Sequence, residues 1–148
     1  MSPAQILQNL PYSEPFLFVD ELLEVDESGC RGTFTFVRDL DFFGGHFKGN
    51  PVTPGAILTE CCAQIGVVCL GIYLLGEEGA AEDVHIGMSS ADMEFLLPVL
   101  PDEKVTVTSK KIYFRFQKLK SDVKMYNAQG RLICKGKIAG MIKTRKHG

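Results

Sequence analysis

Basic side chains are almost missing from the first 103 residues, which carry three Lys or Arg against 17 Asp or Glu, a net charge of −14. The rest of the chain holds 13 Lys or Arg and one acid, Asp122, for +12, so the overall −2 conceals a sharp division. The chain also has no low-complexity tract and no internal repeat. Its start, MSPAQILQNLPY, lacks a basic segment followed by an apolar block, so no signal peptide is expected. The five cysteines, Cys30, Cys61, Cys62, Cys69 and Cys134, form no Cys-x-x-Cys pair. An odd count without a leader fits reduced thiols in a cytoplasm, most of them filling the core. The three histidines, His46, His85 and His147, lack metal-ligand spacing with acids or cysteines, and no glycine-rich phosphate loop is present. No metal and no cofactor are therefore expected.

At 148 residues the chain fits one domain, residues 1–148, with enough length for a real core. Ser2 and Pro3 open a short helix that reaches about Asn9. FLFVDELLEV reads as a strand over Phe16 to Val25, and CRGTFTFVR as its hairpin partner, with Phe34 and Phe36 alternating against Thr33, Thr35 and Val37. DLDFFGGHFKGNPV reads as loop. Thr53 then caps a helix that has Pro54 in its first turn and runs to about Leu75. Its apolar part, Ala56 to Leu75, is long enough to cross a bilayer, but Thr59, Glu60 and Gln64 mark it as a buried helix and no membrane span is expected. GEEGAAED is an exposed connection, and VHIGMSSADMEFLLPV holds one or two strand segments. KVTVTSKKIYFRFQ and DVKMYN alternate with period two, AQG turns, and RLICKGKIAGMIK is the last strand. A helix apolar nearly all round must be covered on most sides. An antiparallel sheet of five or six strands curved around it, an α+β fold, is the simple solution.

One stretch needs a separate account. In FFGGHFKGNPVTPGAILTECCAQ, Phe42 to Gln64, a lone histidine sits in a turn-rich loop, and a lone acid, Glu60, sits two turns into the greasy helix. Ionised there, Glu60 is costly, and the positive helix end offsets only part of that cost. Spacing leaves four readings open: a rim residue, a distant ion pair, a structural bond to Gln64 one turn on, or a carboxyl kept neutral to donate a proton. For His46, a packed loop histidine stands beside a catalytic one.

FFGGHFKGNPVTPGAILTECCAQIG resembles the active-site segment of the bacterial 3-hydroxyacyl-acyl-carrier-protein dehydratases, which have the hot dog fold. Phe43, Gly45, His46 and Phe47 match its Phe-x-Gly-His-Phe pattern. Pro51, Val52, Pro54 and Gly55 match Pro-Val-x-Pro-Gly, and Glu60, Ala63 and Gln64 follow. EPFLFVDELLEV, MEFLLPVLPDEKVTV and NAQGRLICKGKI extend the resemblance along nearly the whole chain. Four features depart from the pattern. Lys48 stands for a usual proline, Cys61 and Cys62 for small apolar residues, Asp102 and Glu103 for Gly-Asp, and YSEPF for a more basic approach. None removes a catalytic group; they point to a specialised branch, such as one making pigments, polyenes or other modified acyl chains.

The resemblance implies dehydration of a 3-hydroxyacyl chain on acyl carrier protein to the trans-2-enoyl product. Such a reaction needs a base for the C2 proton, a stabiliser for charge on the thioester oxygen, and an acid for the leaving hydroxyl. His46 suits the base, Glu60 the acid and the Gly55 backbone N–H the thioester carbonyl, with Gln64 orienting Glu60. In the family the histidine and glutamate of one site come from opposite subunits, so a homodimer is implied, and some members assemble three dimers. Phe43, Phe47, Phe95 and Leu96 are candidates for the acyl tunnel. The carrier is acidic, which gives the basic half a docking reading through Lys110, Lys111, Arg115, Lys118, Lys120, Lys124 and Arg131, with Lys135 and Lys143 beside them. The competing reading is a set of solvated strand faces. Nucleic acid is not expected, because a buried strand pair accounts for the alternation in KKIYFRFQKLK. The alternatives for function are a hot dog acyl thioesterase that uses Glu60 to activate water and a non-catalytic dehydratase-like partner subunit.

Overall fold

The computed structural model describes residues 1–76 and 84–144. The exposed connection expected over 76–83 falls outside them beyond Gly76, and so does His147. Helix α1, Pro3–Gln8, opens as expected: Ser2 Oγ accepts from Gln5 N at 3.3 Å, and Gln5 Oε1 accepts from Ser2 N at 2.8 Å. Six strands follow: β1 (Glu21–Asp26), β2 (Gly29–Thr35), β3 (Val84–Phe95), β4 (Lys104–Arg115), β5 (Lys118–Tyr126) and β6 (Leu132–Thr144). They form one antiparallel sheet in the order β1-β2-β4-β5-β6-β3. The long helix α2, Gly55–Leu75, lies against one face of it. This is the hot dog arrangement that the apolar helix requires.

The period-two pattern shows in β5, where Leu119, Ser121, Val123 and Met125 are buried against the helix, and Lys118, Lys120, Asp122 and Lys124 face away. Helix α2 could cross a membrane by length and composition alone, but 72% of its apolar window is buried inside the fold, so it is the core helix. Over Gln64–Cys69 it widens to π-helical bonding, and all six of those residues are buried. All five cysteines are free and buried, as expected of core fillers.

Several expected boundaries move, each for a local reason. The strand expected from Phe16 begins only at Glu21. Its first part is tied to the helix: Phe18 N donates to Gln64 Oε1 (2.8 Å), and Phe16 O and Phe18 O accept from Gln64 Nε2 (3.0 Å) and Cys61 Sγ (3.4 Å). Strand β2 stops at Thr35, because Asp102 takes the chain aside through Phe36 O and Arg38 N. Phe34 and Phe36 are core, as the alternation requires; Thr33 is buried too, and Val37 is exposed. The loop after it contains one short 3-10 turn, Asp41–Gly44. Thr53 does not cap α2. Pro54 holds the cap position, no side chain caps the helix, and Thr53 Oγ1 is buried without a partner. VHIGMSSADMEF makes one long strand with an irregularity between Met88 and Ser90. Strand β5 starts at Lys118 rather than Asp122, because Phe116 and Gln117 form the turn.

Two glycines let α2 approach the sheet. A Cβ on Gly66 would lie 2.7 Å from Val123 Cγ1 and 3.0 Å from Ser109 Cβ; on Gly71 it would meet the flexible end of Ile86, Cδ1, at 2.5 Å. Ser109 Cβ is fixed to the backbone and valine is stiff about χ1. Gly66→Ala is therefore expected to lower stability by about 1–3 kcal/mol despite alanine's better helix propensity. Gly71→Ala is expected to be near neutral, since Ile86 can turn aside. Denaturant midpoints of the two variants check this; equal losses would contradict it.

Candidate active site

The turn-rich loop builds one half of the site. Gly45 N and His46 N both donate to Phe42 O, at 3.2 and 3.0 Å, which closes the 3-10 turn and presents His46. Val52 N donates to His46 O (3.1 Å), and His46 Nδ1 lies 3.0 Å from Val52 O. A carbonyl can only accept, so Nδ1 is the donor here, and in the neutral ring Nε2 is the nitrogen with the lone pair. The Phe47 ring stacks on the imidazole, with centroids 4.4 Å apart, and is otherwise exposed. Thr53 N donates to Val99 O (2.8 Å), which anchors the entry to α2. Gly55 follows in the first turn of α2, where backbone N–H groups have no intrahelical acceptor. The Phe95 ring covers it, within 3.2 Å of where a Cβ would sit. Phe95 and Leu96 line a niche of about 250 Å³ beside Thr53, Gly55 and Leu58. Phe43, by contrast, is buried in the core against Phe42, so in the protomer it fills space rather than lining a channel.

Glu60 opens elsewhere. It lines a cavity of about 390 Å³ with Tyr12, Phe16, Val67, His85 and Met88 among its other walls; His46 is not one of them. Burial raises the Glu60 carboxyl above the ordinary carboxylate range, and a hydrogen bond from Gln64 offsets part of that rise. Gln64 Nε2 donates to Glu60 Oε2 at 3.1 Å, the contact expected from residues one turn apart. Two cavity residues escaped the sequence reading. Tyr12 is pushed up to about 12, first by burial and next by the Glu60 charge, so its hydroxyl is a neutral donor at ordinary pH. His85 Nε2 is buried without a partner among the described residues. His85 gave no signal beyond its place in an apolar stretch, and Tyr12 entered only as the first residue of YSEPF, with no role attached. No group of acids, histidines and cysteines among the described residues could hold a metal.

The basic candidates separate. Lys110, Lys120 and Lys124 stand on the outer sheet face, where Asp122 pairs across strands with both Lys110 and Lys137, and Lys124 with Lys135. Lys135 also approaches Glu94 at 4.0 Å. Arg115 and Lys118 stand at the β4–β5 hairpin tip, and Arg131 lies just before β6. Lys111 falls opposite the buried Ser121, and Lys143 opposite His85.

A family model for the FabA-like domain matches residues 10–143. A 3-hydroxyacyl-acyl-carrier-protein dehydratase FabZ from Caldicellulosiruptor saccharolyticus is 30% identical, over 93% of this chain and 96% of its own length. A bifunctional LpxC/FabZ enzyme from Chlorobaculum tepidum is 32% identical over 95% of this chain, which spans only 30% of that longer protein. Among solved structures, the dehydratase heterocomplex ApeI:P from Xenorhabdus doucetiae superposes with a TM-score of 0.79 at 12% identity, over 99% of this chain and 94% of the other. With the motif residues in place on a hot dog fold, the chain belongs to the FabA-like family, among the 3-hydroxyacyl-acyl-carrier-protein dehydratases.

Proposed function

We propose that His46 of one protomer and Glu60 of another together dehydrate a 3-hydroxyacyl chain carried on acyl carrier protein, as an enzyme of fatty acid synthesis. His46 Nε2 removes the C2 proton, and that electron pair forms the C2–C3 double bond. The C3–O bond breaks, and the departing hydroxide takes its proton from Glu60 and leaves as water. The Gly55 N–H, at the positive end of α2, receives the thioester oxygen as charge builds on it. One observation carries the reading: the cavity that holds the acid contains no His46, while the loop that holds the base leaves Nε2 free.

A twofold dimer joins the halves. Strand β3 is an edge of the sheet, and Gly87 to Asp92 are exposed along it. A long unblunted edge is a pairing surface. Pairing two β3 strands also brings together niches that each contain β3 residues, Met88 in one and Phe95 in the other. Five buried free thiols support a reducing compartment such as the cytoplasm.

His46→Ala and Glu60→Gln are each expected to cut turnover by a factor on the order of 10² or more while the protein stays folded. Mixing the two inactive variants restores part of the activity, because one site of the hybrid regains both groups. Reverse hydration of an enoyl thioester, followed by loss of absorbance, measures both effects. No recovery after demonstrated subunit exchange would rule out shared sites, and thiol release in place of hydration would indicate the thioesterase reading.

The raised Glu60 pKa fixes the sign of a stability effect. A carboxyl whose folded pKa lies above its unfolded value favours folding fully below the unfolded pKa, and that contribution is lost as pH rises through the folded pKa. Gln at 60 never ionises. Glu60→Gln should therefore become the more stable protein as pH rises from about 4. Denaturation midpoints at pH 4 and pH 8 test this, and a stability advantage for the wild type at pH 8 would indicate a structural ion pair instead.

Docking of the acidic carrier is supported by the lysines of the outer sheet face. Raising salt is expected to raise KM for a carrier-linked substrate and to leave a short uncharged thioester unchanged, because screening acts within about 10 Å at 0.1 M. Reversing Lys110, Lys120 and Lys124 should affect only the carrier-linked substrate. Equal salt sensitivity of the two substrates would remove the docking role.

A further inference from the structure

The β4–β5 hairpin ends in Arg115-Phe116-Gln117-Lys118. Phe116 and Gln117 have φ of 52° and 60°, so both central residues are left-handed, in a two-residue turn that normally selects Asn-Gly. The strain is not compensated by burial, since Phe116 is 89% exposed. Arg115 sits 4.6 Å over the Tyr113 ring, and neither Arg115 nor Lys118 forms an ion pair among the described residues. The tip is a cationic aromatic knob held in an unfavourable backbone.

At the other end of the sheet is a cavity of about 420 Å³. Leu17, Val37 and Leu40 form part of its apolar lining, with Glu14, Asp39 and Asp41 around them. None of these three acids pairs with a cation among the described residues. Shape and charge complement the knob. The two cannot meet within one chain: Thr35, at the cavity, pairs with Lys104 at the start of β4, and Arg115 ends that strand, roughly 37 Å further on at 3.4 Å per residue.

We propose that the hairpin tip of one molecule seats Phe116 in this acidic cavity of a second copy of the chain, with Arg115 and Lys118 against its carboxylates. The contact is heterologous, so dimers carrying it associate further, into a closed ring or an open array. It is separate from the β3 edge and does not depend on the dehydratase chemistry.

A photo-crosslinking amino acid, p-benzoylphenylalanine, in place of Phe116 tests it directly. The expected product joins position 116 to a peptide within residues 14–41 of another chain. Light scattering at low salt should show a species larger than a dimer, with association at least tenfold weaker in Phe116→Ser and in Asp39→Lys/Asp41→Lys. Adding Arg115→Glu and Lys118→Glu to the Asp39→Lys/Asp41→Lys chain should restore it. Phe116→Ser should still turn over a carrier-free thioester as the wild type does, so loss of the contact is read separately from loss of the chemistry. A crosslink to acyl carrier protein, no crosslink to this region, or an assembly unchanged by Phe116→Ser would overturn the proposal.

Discussion

The side-chain amide of Gln64 is fully buried and accepts from Phe18 N at 2.8 Å while donating to Phe16 O at 3.0 Å and to Glu60 Oε2 at 3.1 Å. The amide itself and Phe18 N would otherwise be polar groups held away from water, so the network is costly to leave incomplete. The amide clamps the N-terminal segment onto α2, which keeps Phe16 beside Glu60 and brings Tyr12 and the acid to one cavity. It also explains why Phe16 to Phe18 is not strand: its backbone groups bond to a helix side chain instead of a neighbouring strand. The same clamp lets one acid lie in an apolar helix. Glu60 keeps a single donor, which fixes its orientation but does not overcome the burial that favours its neutral form.

Sheet and helix dictate where each half of the chemistry falls. The loop before α2 closes on itself through His46 and Val52, so its geometry does not depend on a ligand. Helix α2 then carries the chain from the Gly55 N–H to Glu60, five residues or about 7.5 Å of axial rise, and turns the acid toward the other side, under Tyr12. A protomer thus presents His46 near one end of the helix and Glu60 within another cavity. In the proposed dimer, the exposed edge of β3 relates the two.

Period and composition made the architecture readable. The greasy helix, the alternating β4 and the final strand all lie where their apolar residues fall, because burial against one another is what those patterns encode. The motif singled out His46, Gly55, Glu60 and Gln64, and of these the fold joins Glu60 to Gln64 by a hydrogen bond and sets His46 in the loop that leads to Gly55. The failures share a cause: long-range polar bonds are invisible in a local pattern. Gln64 removes Phe16 to Phe18 from the strand, Asp102 bends the chain after Thr35, and Thr53 N is committed to Val99 O while its hydroxyl makes no cap. Tyr12 and His85 reach the Glu60 cavity only through tertiary packing. The start of β5 lies outside the expected DVKMYN segment, because only Leu119 among Lys118 to Ser121 is apolar, although both Leu119 and Ser121 face inward.

The charge division acquires a spatial meaning once the strands are in register. Across the middle of the outer face the lysines meet acids or each other, as in the Lys110–Asp122–Lys137–Asp92 row, where opposite charges lie side by side and reduce the local field. At and beyond the two ends of β4 charges are left without ion pairs among the described residues: Arg115 and Lys118 at one extreme and, past the Lys104–Glu21 and Arg38–Asp102 pairs, Glu14, Asp39 and Asp41 at the other. The acidic and basic halves of the sequence are therefore only partly folded against each other. What is left is a molecule polarised along β4, and such a charge distribution favours end-to-end encounters between copies over side-by-side ones. Salt would weaken those encounters and spare the β3 edge, whose proposed pairing would rest on backbone hydrogen bonds. The two kinds of contact can therefore be varied independently.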